Sequence, residues 1–254
     1  MTSDGSQVLP RADGDDGEAV RPRVAGVIVA AGRGTRYGAP DKVLLPLHGR
    51  SVLEWVLRAF SGSQASEIVI VVGEHIRGSV EALVTSIGLS APTRIVAGGD
   101  RRQDSVACGV AAVSDGVDLI AIHDAARPLV SASLIDRTIE RAAINGAAIA
   151  ASPVTDTLKR VGDDLAILET VAREGLWAAQ TPQVFDRRLL VEAYAIPTFQ
   201  DQAFTDEAAL FEALGHPVAI VPNHDPNPKV THPGDLALIQ ALLAVRSDPR
   251  ELLR

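Results

Sequence analysis

Ala30-Ala31-Gly32-Arg33-Gly34-Thr35-Arg36, followed by Lys42, is a run of small residues flanked by cations. Backbone N–H groups in such a run can approach phosphate oxygens closely, because no bulky side chain intervenes. Arg36 and Lys42 place positive charge beside that cradle. The apolar stretch Val24-Ala25-Gly26-Val27-Ile28-Val29 just before it reads as a buried strand. A strand running into such a loop is a place to hold a triphosphate. Neither common phosphate motif is present. Gly-x-x-x-x-Gly-Lys-Ser/Thr does not occur, and Gly34 is followed by Thr35, Arg36 and Tyr37, which puts the third glycine of Gly-x-Gly-x-x-Gly out of register. On its own the loop fits a plain glycine-rich turn equally well.

Four further polar strings could join it: Gly98-Gly99-Asp100-Arg101-Arg102-Gln103-Asp104-Ser105, His123-Asp124-Ala125-Ala126-Arg127-Pro128, Asp156-Thr157-Leu158-Lys159 and Asn227-Pro228-Lys229-Val230-Thr231. The elements that must position them alternate in type. Strands are expected at 24–29, 67–72, 93–97, 119–123, 147–151 and 217–222. Helices are expected at 51–60, 79–87, 104–113, 131–145, 206–214 and 233–246. Such alternation implies an α/β fold, a Rossmann-like, mostly parallel sheet with helices on both faces. In that architecture ligands bind beyond the carboxyl ends of the strands, and the first four strings fall directly after strands.

The alternation breaks between Pro153 and Phe185. Two apolar-rich runs, 154–161 and 165–170, flank Gly162-Asp163-Asp164 and read as a β-hairpin arm within about 153–176. A two-stranded arm is marginal alone and needs a surface to pack on. A partner subunit would supply one, which makes the arm the expected homodimer contact; the alternative is an arm folded on its own body. The domain expected from these elements spans 23–246. The acidic, Gly/Asp-rich segment 1–22 reads as a disordered tail, and 247–254 as a C-terminal tail.

Composition narrows the function. At 254 residues, 46% hydrophobic and 4% aromatic, the chain suits one α/β domain with an aliphatic core. A formal net charge of −8 argues against a general nucleic-acid binder and requires basic residues to be concentrated in one cleft. The single cysteine, Cys108, excludes an intrachain disulfide, fits a reducing cytosol and reads as a packed helical thiol. The six histidines lack metal-ligand spacing. No run reaches transmembrane length and no signal pattern opens the chain, so a cytoplasmic protein is expected.

Taken together in order and spacing, these strings resemble the 2-C-methyl-D-erythritol 4-phosphate cytidylyltransferases of the non-mevalonate isoprenoid pathway. The likeness spans about residues 24–245. It rests on Ala30-Ala31-Gly32 with Lys42, Gly98-Gly99-Asp100 with Asp104-Ser105, His123 to Pro128, Leu176-Trp177 with Thr181-Pro182-Gln183, Thr205-Asp206-Glu207 and Lys229-Val230-Thr231. The resemblance implies cytidylyl transfer from CTP to methylerythritol phosphate, with Mg2+ required and the metal ligands unknown. It places Ala30, Ala31, Gly32 and Gly34 around the triphosphate. Gly98, Gly99, Asp100 and Ser105 would form the cytosine and ribose pocket, with Asp124, Ala125 and Arg127 beside ribose and metal. Arg36, Lys42, Arg173 and Lys229 would act in catalysis. Arg127, Thr157, Arg173, Thr181, Thr205 and Lys229 would meet the second substrate, Thr157 and Arg173 across a dimer interface. Val29 and Val43 depart from the proline and glutamine usual in relatives.

The chemistry is physically coherent. Two phosphate-bearing reactants repel; a unit pair about 4 Å apart at an effective dielectric near 20 interacts by about 4 kcal/mol, so several cations are needed. The phosphate monoester is already a nucleophile, so no general base is required, and positioning with charge stabilisation must do the catalysis. Alternatives at this point are a ribitol-5-phosphate cytidylyltransferase, another sugar-nucleotide transferase, or a non-catalytic nucleotide-binding module. A fused second enzyme domain is not expected after about 246. Residue by residue, Lys42 could be a solvated loop lysine, Arg33 could replace Arg36, Asp100 and Asp124 could be helix caps or turn formers, and Trp177 reads as packing.

Overall fold

The computed structural model describes residues 21–32, 41–196, 202 and 204–246. Residues 1–20, Gly34, Arg36 and 247–254 lie outside these, and with them nearly all of both expected tails and half of the glycine loop.

A seven-stranded sheet forms the centre. Its strands are β1 (Val24–Ala30), β4 (Glu67–Val72), β5 (Thr93–Ala97), β6 (Leu119–Asp124), β7 (Ala147–Pro153), β10 (Trp177–Asp186) and β11 (Ala219–Pro222). They run in the order β11-β7-β10-β6-β1-β4-β5. Every neighbour pair is parallel except those made by β10, which is antiparallel to both β6 and β7. Two short strands, β2 (Pro46–Leu47) and β3 (Arg50–Ser51), pair apart from it, as do β8 (Leu158–Val161) and β9 (Ile167–Val171).

Period-two alternation sends successive side chains to opposite faces. Val24 and Ile28 of β1, with Ile68 and Ile70 of β4, pack on α1 (Val52–Ser61), α2 (Arg77–Ile87) and α4 (Ala132–Asn145). Ala25 and Val27 face the other way with Val69 and Val71, onto α3 (Arg102–Ala111), α5 (Arg187–Tyr194) and α6 (Glu207–Ala213). Helix α1 shows how the sequence writes such an element. Val52, Leu53, Val56, Leu57 and Phe60 line its buried side, and the Ser51 hydroxyl caps it by accepting from the Glu54 N–H. Helix α3 can lie close to the sheet only through Gly109, where a Cβ would sit 2.5 Å from Val27 and 2.8 Å from Val71. The last helix, α7 (Pro233–Arg246), closes a third apolar cluster in which Ile239 and Leu243 meet Leu47, Ala126 and Val230.

The expected mostly parallel sheet with helices on both faces is thus present. Three expectations need correction. Strand β10 and helix α5 escaped the sequence pattern, because Gln180-Thr181-Pro182 interrupts the apolar alternation in mid-strand and the pairing shifts register between Ala179 and Gln183. Cys108 is exposed on α3 rather than packed, since the buried side of that helix is taken by Ser105, Val106, Gly109 and Val110. Trp177 is 39% exposed, at the first residue of β10, where it pairs with Pro153 beside the stem of the arm. The expected hairpin is formed by β8 and β9, which pair antiparallel from Leu158↔Val171 to Arg160↔Glu169 and shift register before Val161↔Ile167. Leu165, Ile167 and Leu168 at its outer end are at least 65% exposed.

Candidate active site

Because β1, β4, β5, β6, β7 and β11 point the same way, the loops after them open on one edge. The Gly98 N–H donates to the Val72 carbonyl (2.9 Å) and the Ala125 N–H to the Val29 carbonyl (3.1 Å), stitching neighbouring strand ends together. Gly98 lies against the first loop so tightly that a Cβ there would sit 2.4 Å from Ala31 Cβ and 2.7 Å from Ser105 Oγ. Ala31, Gly98 and Ser105 therefore meet. The Ser105 hydroxyl accepts from the Gly99 N–H (3.2 Å) and fixes that turn. Asp100 and Gly32 are exposed beside it.

Charge converges on Asp124, at the end of β6. Lys229 Nζ donates to its Oδ2 at 2.6 Å and Arg102 Nε to its Oδ1 at 3.1 Å, while Arg127 Nε stands 4.0 Å from Oδ2. Burial alone would raise the Asp124 carboxyl, but the cations Arg102, Lys229 and Arg127 outweigh it and hold the group well below the ordinary carboxylate range. Arg102 also donates through Nη1 to both oxygens of buried Glu207, each at 3.0 Å. Burial opposes its charge, but the two carboxylates raise the guanidinium above its usual value. Burial pushes Glu207 upward against the pull of Arg102 and of the Tyr194 hydroxyl, which donates to it at 3.1 Å. Glu207, Tyr194, Asp104 and Leu210 also line a cavity of about 280 Å³ between α3, α5 and α6.

The two lysine loops are joined. Lys42 opens a short 3-10 helix, Lys42–Leu44, and its Nζ donates to the Val230 carbonyl at 2.8 Å. Val230 is buried against α7 and donates its N–H to the Ala126 carbonyl (2.8 Å), so the Lys229 loop rests on the turn bearing Arg127. Arg127 Nη1 donates to the Asn227 carbonyl (2.7 Å), which completes the tie. Ala30 and Ala125 are buried beneath this rim.

The structure thus brings Asp124, Arg127 and Lys229 together, ties Lys42 to the Lys229 loop, and packs Ala31, Gly98 and Ser105 against one another. Of the other expected residues, Gly34 and Arg36 lie outside the described residues, and Thr157, Arg173 and Thr205 stay apart from this cluster. Thr157 and Arg173 lie exposed on the arm, where the Arg173 guanidinium donates to the Thr155 carbonyl, and among the described residues no hydrogen bond or ion pair links them to Asp124. Thr205 is exposed ahead of α6. Thr181 is only 4% exposed and turns its hydroxyl inward. Arg102 and Glu207 were absent from the expected site, although both stand inside strings that drew notice; their pairing across 105 residues has no local signature. Neither Asp100 nor Asp124 is a helix cap. The cap of α3 is made instead by Asp104, which accepts from the Arg101 N–H (3.0 Å).

Comparison with known proteins gives a consistent result. The family model for IspD, 2-C-methyl-D-erythritol 4-phosphate cytidylyltransferase, matches residues 24–245. A 2-C-methyl-D-erythritol 4-phosphate cytidylyltransferase of Synechococcus elongatus is 41% identical over 222 residues, 87% of this chain and 96% of that protein. The bifunctional enzyme IspD/IspF of Anaeromyxobacter dehalogenans is 44% identical over 227 residues; the match takes in 87% of this chain but 57% of that protein. Among solved structures, the 2-C-methyl-D-erythritol 4-phosphate cytidylyltransferase of Thermus thermophilus superposes with a TM-score of 0.71 at 36% identity, covering 87% of this chain and 99% of that one.

Proposed function

Since the chain belongs to the 2-C-methyl-D-erythritol 4-phosphate cytidylyltransferase family, we propose that it transfers the cytidylyl group of CTP to 2-C-methyl-D-erythritol 4-phosphate in isoprenoid precursor synthesis. A phosphate oxygen of the acceptor attacks the α-phosphorus of CTP. The bond from that phosphorus to the bridging oxygen breaks, and pyrophosphate leaves with both electrons. The observation that supports this most is the meeting of Arg102, Arg127 and Lys229 around the Asp124 carboxylate at the carboxyl edge of the sheet, with Lys42 tied to the next residue of the Lys229 loop through the Val230 carbonyl.

In this reading the acceptor phosphate replaces Asp124 as the partner of Lys229. Lys42 draws charge from the triphosphate, and Gly98, Gly99, Asp100 and Ser105 enclose the base and ribose. Arg36 and Gly34 would complete the phosphate loop. A divalent cation, magnesium in our reading, would neutralise phosphate charge when bound. Among the described residues no three His, Cys, Asp or Glu side chains gather for a metal. The donor set fits an ion that arrives on the nucleotide, held by phosphate oxygens and water.

The arm supports a homodimer. Its exposed Leu165, Ile167 and Leu168 need a cover, and Thr157 and Arg173 would reach the acceptor in the partner's site. The lone cysteine suits a cytoplasmic protein, and among the described residues no helix is long and apolar enough to cross a membrane.

The test is pyrophosphate release from CTP with methylerythritol phosphate or ribitol 5-phosphate as acceptor, with GTP and UTP as controls. Release confined to CTP with methylerythritol phosphate supports the reading. Preference for ribitol 5-phosphate, or CTP binding without release, overturns it. Ile167→Glu with Leu168→Glu should convert a dimer to monomers in analytical ultracentrifugation; an unchanged sedimentation coefficient removes the arm from the interface.

A further inference from the structure

His123 is fully buried at the end of β6, and neither substrate has a path to it. Its ring lies against Phe60 of α1, centroids 5.5 Å apart. Both ring nitrogens are nevertheless engaged. Nε2 stands 3.2 Å from the Arg127 carbonyl oxygen, and Nδ1 stands 2.9 Å from Thr181 Oγ1. A carbonyl only accepts, so Nε2 carries the hydrogen. In the neutral ring Nδ1 is then a lone pair, and the Thr181 hydroxyl must donate to it. That hydroxyl oxygen in turn accepts the Asp124 N–H at 3.2 Å.

Every hydrogen in this belt has one possible direction: Asp124 N–H to Thr181 oxygen, Thr181 O–H to His123 Nδ1, His123 Nε2–H to the Arg127 carbonyl. The belt closes around the turn 124–127, which the Arg127 N–H to Asp124 carbonyl bond (3.0 Å) also spans. It clamps both ends of that turn to β10. Ala126 of the same turn receives the Val230 N–H, so the Lys229 loop rests on what the belt holds.

We propose that His123, as the neutral Nε2–H tautomer, is a positioning residue: with Thr181 it orients the turn that presents Asp124 and Arg127 and supports Lys229. Resting on the reaction proposed above, this deepens it by assigning Thr181 to the interior belt instead of to substrate. The surroundings keep the ring neutral. Burial drives its pKa down, to about 4, aided by Arg127 and Lys229 and opposed by Asp124 and the Arg127 carbonyl, while Phe60 and Thr181, from α1 and β10, bring no charge. A misplacement of catalytic groups by about 1 Å can cost on the order of 100-fold in rate.

Two measurements test this. Nitrogen-15 NMR of the full chain labelled at histidine should show His123 with hydrogen on Nε2 and Nδ1 accepting, unchanged from pH 8 to pH 5. A hydrogen on Nδ1, or a ring that titrates in that range, overturns the belt whether or not the chain turns over CTP. In steady-state kinetics, Thr181→Val keeps shape and removes the hydroxyl. It should lower kcat about 10- to 100-fold while leaving the KM for CTP within about threefold. His123→Gln keeps a donor toward the Arg127 carbonyl but loses the Thr181 acceptor, and should fall by a similar factor. The double variant should lose little more than either single one, because both break the same belt. Wild-type kcat in Thr181→Val, or losses that multiply in the double variant, would end the proposal.

Discussion

Two ion pairs of identical length contrast the charged rim with the arm. Lys229 Nζ lies 2.6 Å from Asp124, whose side chain is 10% exposed; Arg160 Nε lies 2.6 Å from Glu169, with side chains 62% and 56% exposed. Distance alone would rank them equal. On the arm, water solvates both partners before and after pairing, and such pairs contribute about 0–1 kcal/mol. At the rim the carboxylate has left water and depends on its cations, so removing one side leaves uncompensated charge. The lesson is that surroundings set what a contact is worth. At the rim Arg102, Arg127 and Lys229 stand around two buried carboxylates, Asp124 and Glu207.

The sharpest way to break this contrast is Lys42→Ala, which should lower kcat about 100- to 1,000-fold, the usual loss for one transition-state donor, in a pyrophosphate-release assay. A variant with wild-type turnover would refute the rim as the reacting centre. Next is Asp124→Ala, which takes the carboxylate from Arg127 and Lys229 and leaves Arg102 with Glu207 alone. It should cost about 3–5 kcal/mol in urea unfolding, more than any arm substitution.

Acid should separate the regions further. A native His123 pKa of about 4 lies below the ordinary unfolded value. Between about pH 6.5 and pH 4 the unfolded chain therefore binds a proton that the native one refuses. Stability falls across that window by roughly 2–4 kcal/mol, and this contribution is flat below it. Asp124, held below its ordinary value, contributes stability that is lost only at more acid pH. Denaturation midpoints at pH 7.5, 5.5 and 4.5 would show the loss, and His123→Gln should flatten the upper window. The smallest effect belongs to Arg160→Ala, expected to shift unfolding free energy by less than about 1 kcal/mol; a loss near that of Asp124→Ala would show that the arm pair is buried in a partner.

Strand β6 illustrates what was legible. Leu119 to Ile122 is continuously apolar and reads as a buried strand without further help. The polar pair after it, His123-Asp124, marked a site but gave no clue to which residue faces the cleft. Lys42 and Lys229 were readable from their strings. Arg102 and Glu207 were equally visible as letters, but nothing in a short window says that they pair with each other. Strand β10 was hidden for the reason that makes it useful: Gln180 and Thr181 interrupt its apolar pattern in order to hold the rim, Thr181 through His123 and Gln180 through Asn223 and Asn227.

By itself the sequence determined the alternation of strands and helices, the glycine loop at the end of the first strand and the family to which the chain belongs. Each follows from short-range rules, the burial period of an element and the residue types its turns allow. Tertiary structure decided which charges meet, that Thr181 points inward, and which nitrogen of His123 bears the hydrogen. Those outcomes depend on groups as far as 105 residues apart being packed within hydrogen-bond reach. Only the assembled sheet, with β10 laid antiparallel between β6 and β7, brings them there.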